Sequence, residues 1–113
     1  MKIKISEKYD AVIISLKGNV MGGEDTKNFN ETLHKLIEES KKNVIIDVSH
    51  VKFMNSSGLG MLIGGLTTVK KAEGRLILAG VTEKIESLLI ITKLITIFET
   101  SDNVDDAVKI FSS

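Results

Sequence analysis

Two periods alternate along this chain. Over residues 1–6, Ile3 and Ile5 stand between Lys2, Lys4 and Ser6, the pattern of a short strand with one wet face. Residues 7–10 make a turn. Residues 11–16, AVIISL, are rich in β-branched side chains and form a second strand, so the short link predicts an antiparallel hairpin. Residues 17–23 contain Gly18, Gly22 and Gly23 and read as a loop. The period then lengthens. Phe29, Leu33, Leu36 and Ile37 give one apolar stripe, on a helix that Asp25 or Thr26 caps and that ends near residues 40–42, where lysines suit the helix dipole.

The second half repeats this alternation. Residues 44–48, VIIDV, are short and almost wholly apolar, as in a strand buried on both faces of a parallel sheet. A loop over 49–54 follows. Leu59, Leu62, Ile63, Leu66 and Val69 then recur at helical spacing, which predicts a helix over about 57–71, stopped by Gly74. Residues 75–79, RLILA, form the next strand, and Gly80 and Thr82 turn the chain. A helix over 83–92 buries Ile85, Leu88 and Leu89, residues 95–98 are strand-like, and Asp102 or Asn103 caps a last helix with Val104, Ala107, Val108 and Phe111 on one face. The order β-β-α-β-α-β-α-β-α implies an α/β fold: a small, mostly parallel sheet with a leading hairpin and helices packed on it. At 113 residues it is one domain, 1–113, able to bury roughly two-thirds of its unfolded surface.

Composition narrows the function. Fifteen basic and fifteen acidic residues cancel, which leaves no electrostatic footprint for nucleic acid or a membrane surface. The chain has no cysteine, which removes thiol catalysis, disulfides and cysteine metal sites. The start of the chain does not resemble a signal peptide, and no apolar run approaches the roughly 18 residues of a membrane span.

Candidate chemistry concentrates in residues 53–65, FMNSSGLGMLIGG. Asn55, Ser56 and Ser57 precede an apolar helix and can accept hydrogen bonds from its first turn. Gly58 and Gly60 each weaken that turn by roughly 1 kcal/mol relative to Ala and leave the helix start bare, open to close approach. A helix start attracts phosphate, so a phosphoserine here changes surface charge without melting the helix. Enzymatic readings fare worse. A nucleophile elbow needs glycine where Met54 stands. Gly58 and Gly60 do not continue into a dinucleotide fingerprint, because the next glycine is Gly64, and a Walker lysine–threonine pair is missing. Asp47 invites comparison with the phospho-acceptor of a receiver domain, but no acidic pair follows the second strand to hold magnesium; a loop-anchoring carboxylate is the simpler role. His34 and His50 show no pairing with a nucleophile. Met21, Leu59 and Met61 supply apolar contacts around the helix start, and methionine adapts readily to a partner. A binding module, with no cofactor or metal and no enzymatic activity, fits best.

The chain resembles the STAS domain family, and within it the anti-sigma factor antagonists. The resemblance rests on the hairpin, on Gly18 and on FMNSSGLGMLIGG, which is similar to the family's Asp-Ser-Ser/Thr-Gly-Leu-Gly loop. It implies a cytoplasmic bacterial partner-switching protein. Unmodified, it binds an anti-sigma factor that is also a serine kinase of the GHKL ATPase type, and so frees a sigma factor. Phosphorylation at Ser56, with Ser57 the alternative, reverses this, and a phosphatase restores it. The partner-binding set expected is Met21, Asn55, Ser56, Ser57, Gly58, Leu59, Gly60 and Met61. Two positions depart from the family: Asn55 replaces the aspartate before the serine, and Met21 stands where many members carry another aspartate. The other reading is a constitutive STAS scaffold, a subunit of a regulatory or transport complex without phosphorylation.

Overall fold

A computed structural model describes residues 1–112. Its elements are β1 (Lys2–Lys8), β2 (Ala11–Val20), α1 (Glu24–Glu38), β3 (Asn43–Met54), α2 (Ser56–Lys71), β4 (Arg75–Ala79), α3 (Glu83–Ile91), β5 (Glu99–Ser101) and α4 (Val104–Ser112). The five strands lie in one sheet in chain order. β1 pairs antiparallel with β2, and every later neighbour is parallel. This is the α/β architecture with a leading hairpin that the hydrophobic pattern predicts. Among the described residues no helix is long and apolar enough to cross a membrane.

Alternation along the strands divides the core. Val12, Ile14 and Leu16 of β2 join Val44 and Ile46 of β3 in the larger core, which also takes in Phe29 and Leu33 of α1, Leu62 and Val69 of α2, and Leu89 of α3. The intervening residues Ala11, Ile13, Ile45 and Ile77 face the other way and form a smaller core with Ala107 and Val108 of α4, against which Val104, Ile110 and Phe111 of the same helix pack. Burial on both faces explains the near-continuous apolar runs of the central strands.

Several boundaries differ from the sequence reading, each for a physical reason. Residues 17–20 and 49–54, expected as loops, extend β2 and β3. Their ends pair with each other, Lys17 with His50, Gly18 with Val51 and Val20 with Met54. The pairing shifts register on either side of Gly18, whose φ of 94° is open to glycine and strained for other residues. Backbone pairing thus holds a segment whose side chains carry no strand pattern. Residues 95–98 are not a strand; Phe98 is buried in the larger core, and the polar Glu99–Ser101 forms the edge strand instead. Arg75 grips that edge, donating from Nε to Glu99 Oε1 at 2.7 Å and pairing a second nitrogen with Oε2. α1 begins after Gly23 with no side-chain cap, so neither Asp25 nor Thr26 serves; both lie within or beside its first turn. The left-handed residue beyond α2 is Glu73, with φ of 63°, while Gly74 is needed because a Cβ there would sit 2.6 Å from the Lys42 carbonyl oxygen. Of the two candidate caps for α4, Asn103 is used, accepting from the Asp106 N–H at 2.8 Å.

Candidate functional site

The extended ends of β2 and β3 deliver two short segments to one place. Val20 and Met54 are register partners, and the next residue, Asn55, donates its N–H to the Val20 carbonyl at 3.4 Å. Asn55 is the cap of α2. Its side-chain Oδ1 accepts from the Gly58 N–H at 2.8 Å, and its carbonyl accepts from the Leu59 N–H at 2.9 Å. The helix therefore starts directly off the sheet, its first turn fixed by one side chain and the strand end before it.

Gly58 makes this junction possible. A Cβ at Gly58 would lie 2.0 Å from the Val20 carbonyl oxygen, so the close approach that glycine permits is taken up by the protein's own β2. Gly22 acts similarly on the other flank. Its φ is 83°, and a Cβ there would come within 2.8 Å of the Ser57 Cβ, so the loop between β2 and α1 lies against Ser57. Gly60 faces open space.

Ser56 and Ser57 stand exposed at the start of α2. Neither hydroxyl has a hydrogen-bond partner among the described residues. No acidic residue lies in the first turn, so the positive end of the helix dipole is uncompensated by side chains. Two apolar residues flank the serines: Met21, 45 % exposed, and Phe53, 49 % exposed. None of Met21, Phe53, Asn55, Ser56, Ser57 and Gly60 carries a charged side chain, so the reactive groups among them are the two serine hydroxyls.

The structure brings Met21, Asn55, Ser56, Ser57 and Gly60 to this surface and removes three of the expected contact residues from it. Leu59 and Met61 are each 2 % exposed and pack in the larger core, because the helix must turn that face to the sheet. Gly58 is buried against β2. Phe53 is the surface residue that the sequence reading passes over. A strand assignment through residue 54 places it on the face opposite Met54, but the expected loop concealed that. Elsewhere, Asp47 anchors no loop, since both it and Ser49 lie within β3; its Oδ1 accepts from the Ser49 N–H at 3.0 Å and hydroxyl at 2.7 Å. His34 and His50 are exposed, and the described residues contain no His, Asp or Glu group placed to hold a metal.

The fold and site define a small α/β domain that presents serines at a helix start beside the ends of two parallel strands. The STAS domain profile matches residues 2–107, and the chain belongs to that family. Over 64 residues it is 33 % identical to an anti-sigma-B factor antagonist of Staphylococcus epidermidis; the match covers 57 % of this chain and 59 % of the relative. It superimposes on an anti-sigma factor antagonist from Mycobacterium paratuberculosis with a TM-score of 0.84 at 18 % identity, covering 99 % of this chain and 94 % of that one. It also superimposes on a sulfate transporter family protein from Wolinella succinogenes with a TM-score of 0.77 at 20 % identity, covering 88 % and 83 %. At these identities the two structures speak for the fold.

Proposed function

We propose that this chain is an anti-sigma factor antagonist switched by phosphorylation of Ser56. Unmodified, it docks on a kinase-type anti-sigma factor through the surface around Ser56, and the sigma factor held by that kinase is released. The observation that carries the reading is the exposed Ser56 hydroxyl at an unobstructed helix start, held by a rigid sheet junction and bordered by Met21 and Phe53.

The chemistry asks little of the substrate protein. The Ser56 Oγ attacks the γ-phosphorus of ATP, the bond to the β-bridging oxygen breaks, and ADP leaves. The hydroxyl proton goes to a base that the kinase supplies, and magnesium held by the kinase offsets the developing charge. Asn55 then matters in two ways. Its carboxamide caps α2 as an aspartate would, and it places no negative charge beside the incoming phosphoryl group. At about 4 Å in water such a charge would repel by about 1 kcal/mol per unit charge. The phosphoserine sits at the positive end of α2, where anions are favoured, so the fold accommodates it. A partner surface shaped for a neutral hydroxyl does not, because burying the dianion unpaired costs several kcal/mol. A phosphatase resets the switch.

Mass-spectrometric mapping after incubation with the cognate kinase and magnesium–ATP tests the reading. Phosphate on Ser56 is the expected result. Phosphate on Ser57 alone moves the site by one residue. A kinase that binds the chain tightly yet leaves both serines unmodified overturns the switch and leaves a constitutive STAS scaffold.

A further inference from the structure

A second surface adjoins the serines. The C-terminal end of β3 and one face of α3 enclose an open groove of about 470 Å³, floored by Val51, Met54, Ile85 and Leu88 and walled by Phe53 and Ile91. Ile91 is 78 % exposed, more than any other aliphatic residue noted at the surface, and Ile90 beside it is 54 % exposed. Isolated surface apolar residues are ordinary, but exposed Phe53 and Ile91 on either side of a concave apolar floor form a contiguous patch of the kind that marks a docking site.

Charge narrows the occupant. Lys52 and Lys84 stand on the groove's rim, and neither has an ion-pair partner among the described residues. Glu83, the one acidic residue there, belongs to the first turn of α3, where a carboxylate complements the helix dipole. The rim therefore presents two lysines without ion pairs and a single carboxylate, a net positive charge, beside an apolar channel. Position narrows it further. The β3 wall ends at Met54, and the next residue is Asn55, the cap that presents Ser56. An object lying in the groove continues directly onto the serine surface through Phe53.

We propose that this groove docks an acidic amphipathic segment of the partner protein that reads Ser56. The inference rests on the antagonist reading above and adds a second contact to it. Apolar side chains at helical spacing fill the channel, as in other helix-in-groove recognition, and flanking carboxylates meet Lys52 and Lys84. A concave channel accepts the ridge of a helix; a bilayer would leave its floor unfilled.

Nuclear magnetic resonance titration of the full chain tests this. The probe is a synthetic peptide of about 15 residues, with leucines at helical spacing and glutamates on its flanks, set against a twin with lysines in place of the glutamates. The glutamate peptide should shift the amide signals of Lys52, Phe53, Lys84 and Ile91 and bind about tenfold more tightly than its twin. Lys84→Glu should reverse that preference. Ile91→Ser should weaken both peptides by about tenfold. Both residues are exposed, so each variant should keep the wild-type melting temperature. Equal binding of the two peptides, shifts confined elsewhere, or no binding overturns the proposal. So does concentration-dependent dimerisation abolished by Ile91→Ser, which assigns the groove to a second copy. Cosedimentation with phosphatidylglycerol vesicles that Lys84→Glu abolishes also overturns it and assigns the surface to lipid. The peptide titration needs no phosphorylation, so binding with Ser56 unlabelled by the kinase would sink the switch and spare the groove.

Discussion

Gly58→Ala and Gly60→Ala should move stability in opposite directions, although the two glycines lie two residues apart on the same helix. Helix propensity alone gives both substitutions the same sign, a gain of roughly 1 kcal/mol. Their surroundings separate them. The Cβ added at Gly60 meets nothing within 4 Å, while the one added at Gly58 falls 2.0 Å from the Val20 carbonyl oxygen. Ordinary contact begins at 3.4 Å, so α2 or the end of β2 must retreat by more than an ångström. Neither can yield locally. Val20 is in register with Met54 and accepts the Asn55 N–H, and Asn55 caps the turn that contains Gly58. Overpacking of this kind costs about 1–3 kcal/mol and occasionally more; against a backbone oxygen the upper part of that range applies. Net of the propensity gain, Gly58→Ala should destabilise by about 2 kcal/mol, or about 8 °C in melting temperature for a domain of this size. Gly60→Ala should stabilise by up to about 1 kcal/mol. Thermal melts followed by circular dichroism, with urea titration for the free energies, read both. If Gly58→Ala melts at or above the wild type, the Val20 carbonyl does not press on α2, and the account of how the sheet positions Ser56 is wrong.

Ser56→Asp should weaken the complex with the kinase while leaving the melting temperature unchanged or slightly raised, since a carboxylate at the helix start is worth about 0.3–1 kcal/mol; calorimetric binding and a melt on the same protein check both halves. Asn55→Ala should cost about 1 kcal/mol through loss of the cap, whereas Asn55→Asp should retain stability, and the two are compared by urea titration. Wild type should be phosphorylated by its own kinase without help from Asn55→Asp or Met21→Asp, because the base comes from the kinase; a wild type that is inert until those aspartates are introduced refutes this. Hydrogen bonds from Arg75, despite some opposing desolvation, hold the Glu99 carboxyl below its ordinary value. Stability from this pair is therefore complete above the unfolded carboxyl's range and is lost as pH falls through the depressed folded one. The side chains are half exposed, so Glu99→Gln should remove no more than about 1 kcal/mol at neutral pH and flatten the acid limb of a pH–stability curve.

Much of the fold was legible because hydrophobic period carries it. Val44, Ile45 and Ile46 form an unbroken apolar run, and a strand buried on both faces needs one. Phe29, Leu33 and Leu36 repeat at helical spacing, and all three are buried. Legibility failed where the backbone decides. Residues 17–20 and 49–54 pair through main-chain groups across a register shift, and their side chains follow no strict alternation. Residues 95–98 look like a strand because Ile95 and Phe98 are apolar, yet they form a turn in which Phe98 and part of Ile95 pack on the larger core while Ile97 stays exposed. The serines and their cap were legible as a local motif. The roles of the glycines were not, because Gly58 answers to the Val20 carbonyl, more than thirty positions away in the chain. Leu59 and Met61 could be read either as core or as partner contacts for the same reason: the docking of α2 on the sheet decides which face of its first two turns is buried, and both residues are.

The strand extensions also explain how the site combines rigidity with accessibility. An exposed loop could present a hydroxyl, but it would lose conformational freedom on every docking event. Here the ends of β2 and β3 extend to the first turn of α2, and the cap, the Gly58 contact and the Gly22 contact hold that turn from three sides. The hydroxyls remain outside this frame, unbonded and exposed. A phosphoryl group added there changes the charge of the surface by about two units and breaks none of the contacts that hold the frame. On the switch proposed above, the fold would therefore be the same in both states, and the free-energy difference between them would fall almost wholly on the complex. A switch built this way would need no conformational change in the domain; it would work by making one rigid surface compatible or incompatible with its partner.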